Sequence, residues 1–329
     1  MTMRGYVMAA ALVLATPALH HVQVSAEKAV LVTPDNFNRA ESDTYFAETI
    51  NLAGGTGKLH HYREIIPIDK QPVIRSNRDT LYSSAVFDLD AGPVTVTLPD
   101  PGKRLMSMMV IDEDHYVPAV FYGTGAHTFT KEQIGTRYII VGIRTFVDPA
   151  NPKDLEQVHA LQDAIRVSQA SSGSFAATNW DRASQKRVHD ALVALAATLP
   201  DTKRMYGPRD QVDPVRHLIG TATGWGGNPE KDALYLTVVP SKNDGATVYK
   251  LTVRDVPVDG FWSISVYNAE GYFQKNQYDA YVVQFGGCDG KIPNCLPTTP
   301  GWNYWVRLYR PRPEILNGNW KFPDAHAVQ

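Results

Sequence analysis

Apolar and polar positions alternate in "PVTVTLPD", where Val94, Val96 and Leu98 interleave with Thr95 and Thr97. That is the period of a strand with one face buried. Further apolar runs follow at "RLMSMMVID", "YVPAVFYG" and "RYIIVGIRTFV", separated by Pro and Gly clusters. Strands at such spacing predict a sandwich or barrel. The period then changes. "NPKDLEQVHALQDAIRVSQ" offers Asn151 as N-cap and Pro152 at the first helical position, with Leu155, Val158, Leu161 and Ile165 on one face. A second helix is predicted through "DRASQKRVHDALVALAATLP", striped by Val188, Leu192, Leu195 and Leu199, and a short third one at "DPVRHLIG". Strands return at "ALYLTVVP", "TVYKLTVRDVPV", "GFWSISVYN", "YVVQFGG" and "GWNYWVRLYRP", and the Asn-Asp-Gly step at 243–245 predicts a hairpin turn. The chain therefore reads as mainly β with a helical insert. We divide it into a β-sandwich at 27–150, a small helical domain at 151–228 and a second β domain at 229–329.

Residues 1–26 read as a leader to be removed. Arg4 precedes an apolar run from residue 6 to about residue 15, and "VSA" closes the segment as a small-residue cleavage signature. The run is about half the roughly 20 residues a membrane-spanning helix needs. The expected location is the periplasm of a Gram-negative bacterium, or secretion, with no membrane span after cleavage. Net charge is −2 with basic and acidic residues interspersed, so there is no footprint for nucleic acid. In an oxidising compartment the two cysteines, Cys288 and Cys295, are expected to form a structural disulfide.

Familiar motifs fail. "GGTGK" at 54–58 lacks the phosphate-loop spacing, and Leu59 stands where a Ser or Thr would bind magnesium. "GWGGNP" misses the dinucleotide fingerprint. There is no G-x-S-x-G elbow and no H-E-x-x-H. No cofactor is called for. A divalent metal is the alternative, with Asp112, Asp114, His115 and His127 as its candidate ligands. On a strand, Asp112 and Asp114 of "VIDEDHY" would share one face, and His115 could meet His127 across a hairpin. Asp79, Asp112 and His115 are the candidate acid–base groups.

The most chemical stretch is "VIRSNRDTLYSS". Arg75, Asn77, Arg78 and Tyr82 are candidate ligand-binding residues, and Asp79 can hold an arginine in a charge-assisted pair. "FWSISVY" and "WNYWVRLYR" add Tyr267, Arg307 and several rings that could line a cleft. The plainer reading is a polar network that starts a strand, with the rings in a sandwich core.

"NRDTLYSSAVFDLDAGPVTVTLPD", "VIDEDHY" and "GTRYIIVGIRTFVD" resemble the family known as domain of unknown function 1254. "VPVDGFWSISVYNAEGYF" and "NCLPTTPGWNYWVRLYRPRPEILNGNWKFP" look like its C-terminal companion, domain of unknown function 1214. The resemblance implies an Ig-like β-sandwich first, a small helical domain next and a jelly-roll last. It marks residues 77–82 as the site candidate and supplies no reaction. One hairpin's length of the family pattern is missing where Tyr281 runs directly into "VVQFGG". Two functions follow as expectations. The first is binding of a small molecule, glycan or envelope component in a cleft between the two β domains. The alternative is a hydrolase- or lyase-like enzyme, metal-assisted in one version, acting on a small exported substrate.

Overall fold

The computed structural model describes residues 28–67, 71, 77–149, 151–270, 272–273, 284–292 and 294–328. The predicted leader, Arg75 and the shortened segment around Tyr281 lie outside the described residues. In chain order the strands are β1 (His60–His61), β2 (Thr80–Asp88), β3 (Val94–Leu98), β4 (Met106–Asp112), β5 (Ala119–Tyr122), β6 (Gly125–Phe129), β7 (Tyr138–Phe146) and β8 (Arg166–Gln169). They continue with β9 (Ala233–Val238), β10 (Tyr249–Lys250), β11 (Trp262–Tyr267), β12 (Gln284–Phe285), β13 (Cys295–Leu296), β14 (Asn303–Tyr309) and β15 (His326–Ala327). The helices are α1 (Phe37–Ala53), α2 (Lys131–Ile134), α3 (Pro152–Ala164), α4 (Arg182–Ala196), α5 (Pro214–Gly224) and α6 (Pro313–Leu316).

Two sheets, β1-β2-β7-β4-β5 and β6-β3-β8, form the first β unit. The alternation of β3 places Val94, Val96 and Leu98 against Ala85, Phe87, Met108, Val110, Ile139 and Val141 in one core. Burying each such side chain is worth about 1.5–3 kcal/mol. The second unit packs β11-β14-β9 against β13-β12-β10-β15. Tyr304, Val306 and Leu308 of β14 meet Tyr249, Phe285 and Leu296 there, around a fully buried Trp302. The Asn-Asp-Gly step does not close a hairpin. It carries the chain from β9, which pairs with β14, to β10, which pairs with β12 and β15 in the other sheet.

The helices diverge from the expected stripes in instructive ways. The N-terminal region contains α1, which apolar periodicity did not announce. Its buried face carries Ser42 and Asp43, which accept hydrogen bonds from the indoles of Trp225 and Trp180. Gly54 ends α1 in the left-handed conformation at φ 73°, so "GGTGK" begins as a helix cap. α1, α4 and α5 pack together through Phe37, Ala40, Leu192 and Ile219. Leu195, expected on the buried stripe of α4, is 51% exposed. α3 instead packs on the first β unit, where Val158 meets Leu81 and Val147, and β8 after it pairs with β3.

One face of the five-stranded sheet positions the site. Val86, Met109, Ile111, Tyr138 and Ile140 lie on this face under Phe46 of α1. Further along the same strands the same parity brings Tyr82, Arg144, Ser107 and Tyr122 into one cross-strand row. The apolar end of the face is covered by helices, and the polar end by the second β unit.

Candidate functional site

On β14 the even positions fill the second unit's own core, so the odd ones face the first unit. Ser263, Arg307 and Tyr235 therefore form a cross-strand row on β11-β14-β9. Two polar rows meet at the junction. Asn77, just before β2, donates its Nδ2–H groups toward Tyr82 Oη and Tyr309 Oη, each at 3.0 Å, and toward Thr80 Oγ1 at 3.1 Å. Its Oδ1 accepts from the Asp79 amide at 2.8 Å. Ser263 donates to the Asp79 carboxylate across the junction. Tyr122 donates to Asp232 Oδ1 at 2.9 Å, and the rings of Phe146 and Phe261 pack with centroids 4.6 Å apart.

Two arginines stand in this layer and differ in company. Arg307 is 2% exposed and donates to Ser265 Oγ at 2.7 Å and Tyr267 Oη at 2.6 Å. Burial opposes its charge, but Tyr267 and the Asp79 carboxylate push its pKa above the ordinary arginine value. Arg144 donates to Asn228 Oδ1 at 3.3 Å and to the Gly226 carbonyl at 3.2 Å, and lies 5.3 Å from the centre of the Tyr82 ring. Among the described residues it forms no ion pair with a carboxylate; its charge faces the phenols of Tyr82, Tyr235 and Tyr309. Tyr82, Arg144 and Tyr235 each keep part of their surface exposed although two sheets flank them.

The phenols respond unequally. Burial would raise Tyr82, but Arg144 beside it, with hydrogen bonds from Thr80, Arg144 and Asn77, leaves it below the ordinary tyrosine value. Burial and the neighbouring Tyr235, Asp79 and Tyr82 hold Tyr309 well above that value. A phenol lowered by a neighbouring cation thus sits across one amide from a phenol held above its ordinary value.

The other sequence candidates do not join this layer. Strand β4 ends at Asp112, and residues 113–115 form a tight turn, so Asp112 and Asp114 do not share a strand face. Asp112 Oδ1 accepts from the amides of Asp114 and Tyr116, both at 2.9 Å. Burial raises its carboxyl to about 7. Asp114 is bound by Arg39 at 2.7 Å and Arg209 at 2.9 Å. His115 is fully buried at φ 68°, its Nδ1 2.8 Å from Thr221 Oγ1 while Nε2 accepts from the Gly226 amide at 2.9 Å. Thr221 spends its own hydroxyl proton on the His217 carbonyl, which fixes the neutral Nδ1–H tautomer of His115. Burial, with His217 adding to it, pushes His115 well below its ordinary value. His127 lies elsewhere, on β6, 4.0 Å from the Phe121 ring. Among the described residues no group of three or more His, Cys, Asp or Glu side chains is placed to hold a metal. Arg78 donates to the Ile66 carbonyl and lies over Phe273.

Residues 56–132 match the family described as "Protein of unknown function (DUF1254)", and residues 238–288 the one described as "Protein of unknown function (DUF1214)". Each match covers less than half of the chain. The first match contains Asn77, Asp79, Tyr82 and Tyr122, and the second contains Ser263 and Tyr267, so residues of both meet in the polar layer. Arg144, Tyr235, Arg307 and Tyr309 fall outside either match. The fold is similar to that of the VPA0106 protein from Vibrio parahaemolyticus, at 18% identity and TM-score 0.68, over 90% of this chain and 98% of that one. An uncharacterised protein from Burkholderia cenocepacia aligns at 13% identity and TM-score 0.47, over 89% of this chain and 87% of that one. No curated protein matches the chain.

Composition and motif searches missed Arg144, Asn228, Tyr235 and Tyr309. One signal was present: Arg144 continues the parity of Tyr138 and Ile140 in an otherwise apolar strand, where a charge needs a reason. Asn228 belongs to the rejected "GWGGNP", whose backbone holds Arg144. Cys288 and Cys295 form the expected disulfide, and among the described residues no helix is long and apolar enough to cross a membrane.

Proposed function

We propose that the chain is an exported, periplasmic protein that binds a small anionic molecule between its two β units. Arg144 carries this reading. A guanidinium largely withdrawn from water is normally matched by a carboxylate, because uncompensated charge there is costly. Here a carbonyl, an amide and three phenols stand around it instead, and its planar donor fork suits a carboxylate or phosphate. Isothermal titration of the purified chain with short mono- and dicarboxylates and phosphate esters tests it. At least one should bind, and Arg144→Met should weaken that binding about a hundredfold, the size of a lost charge-assisted pair, without lowering the melting temperature. Equal affinity in both proteins, or no binding by any of these anions, would sink the reading.

A second reading, lyase-like catalysis at the same place, is favoured by the unequal phenols. Groups whose pKa values are driven apart are natural acid–base partners. Tyr82 would take a proton from a substrate anchored on Arg144, and Tyr309 would return one. Ultraviolet titration should find a tyrosine ionising below the usual value of about 10. Tyr82→Phe should remove that step. If the step survives the substitution, the acid–base assignment is lost.

A further inference from the structure

A cleft of about 680 Å³ opens at one edge of the junction, between the 101–106 segment and β5 on one side and the 259–261 and Arg310 segment on the other. Its volume falls in the range of small-ligand sites. Tyr122, Phe146 and Phe261 supply aromatic wall. Both carboxylates that line it are paired. Arg104 grips both oxygens of Asp154, at 2.5 and 2.9 Å, and Asp259 Oδ1 takes Arg312 Nε at 2.6 Å. Lys103 and Arg310 also line the cleft, and among the described residues neither forms an ion pair or a side-chain hydrogen bond. Arg310 is held in place all the same. Its amide donates to the Asp232 carbonyl and its carbonyl accepts from the Asp259 amide, both at 2.9 Å. Its guanidinium lies 4.8 Å from the centre of the Tyr122 ring, which Asp232 anchors from behind.

This is an oriented cation beside aromatic edges in an open trough, with Asp259 Oδ2 still able to accept from a hydroxyl. We propose that the cleft is a second ligand site and takes an acidic saccharide. Its carboxylate would lie on Arg310 and Lys103, and the C–H face of its ring against Phe146 and Phe261. A cation held in place, as Arg310 is, selects the acid over the neutral sugar. The trough is open at its rim, where Lys103 and Asp259 are exposed, so an oligosaccharide can run through it. The site is separate from the Arg144 layer, with Tyr122 standing between them.

The test is calorimetric titration of the purified chain with digalacturonate and with neutral digalactose. Digalacturonate should bind at least about tenfold more tightly, the worth of one charge-assisted contact. Arg310→Asn should remove that preference, since asparagine tolerates the φ of 52° at this position. Arg144→Met should leave it intact. Equal affinity for the two sugars, absence of digalacturonate binding, or unchanged selectivity in Arg310→Asn would overturn the proposal. Loss of binding in Arg144→Met would move the saccharide to the polar layer and overturn the second site.

Discussion

The turn at 112–116 and the layer around Arg144 both concentrate charge, and they resolve it in opposite ways. In the turn each donor finds a local acceptor: Asp112 takes two amides, Asp114 two arginines, and His115 one hydroxyl and one amide. Such a group is complete without a ligand, and its polar residues fix where β4 ends and how α5 approaches. In the layer, Arg307 is balanced by Asp79 nearby, while Arg144 one sheet away is met by neutral groups. Carboxylates and imidazoles crowded in sequence can therefore close on their own neighbours, whereas a half-buried charge set among neutral groups stays unmatched.

The sharpest way to break this contrast is to remove the balanced arginine. Arg307→Ala should lose about 3–5 kcal/mol in urea unfolding, because the buried Ser265 and Tyr267 and the half-buried Asp79 would be left without their cation. A loss below about 1 kcal/mol would erase the distinction from Arg144, whose replacement by Met is expected to leave stability intact. Next in size, His115→Ala should cost about 2–3 kcal/mol by orphaning the Gly226 amide and leaving the buried imidazole's space empty. Binding of small anions should survive it. If anion binding disappears while the fold stays intact, the turn belongs to the site after all.

The last test reads the turn through its pH dependence. The Asp112 carboxyl is raised by burial from 3.8 to about 7 in the folded chain. The folded state thus favours the protonated acid. Its stabilising contribution is complete below the unfolded value and is lost as pH rises through about 7. Asp112→Asn keeps an oxygen for the two amides and cannot ionise. Its gain in stability should be smallest near pH 4, increase as pH rises and level off above about 7. A gain independent of pH would show that Asp112 does not carry the buried charge assigned to it.

Much of the fold was legible in the amino-acid pattern. The alternation of Val94, Val96 and Leu98, the capped start of α3, the short helix at α5, and the spacing of Cys288 and Cys295 are local signals, and local geometry obeys them. α1 was not legible, because its buried face spends Ser42 and Asp43 on two indoles supplied from 137 and 183 residues away. The exposed Leu195 has the same lesson in reverse: a helical stripe says which residues share a side, not how wide the neighbour covering that side will be.

The candidate site divides along this line. Asn77, Asp79 and Tyr82 stand out as a dense polar segment before a strand, and the chain by itself determined that they form a strand-initiating network. Tertiary structure decided that Tyr82 lies beside Arg144 and across from Tyr309, and that Asp79 reaches Ser263. A period of two sorts residues onto the two faces of a strand, but it carries no information about which strand lies next to it or which sheet covers it. Those choices come from burying the apolar ends of both β units, and the polar rows meet because they share strands with the cores that do so.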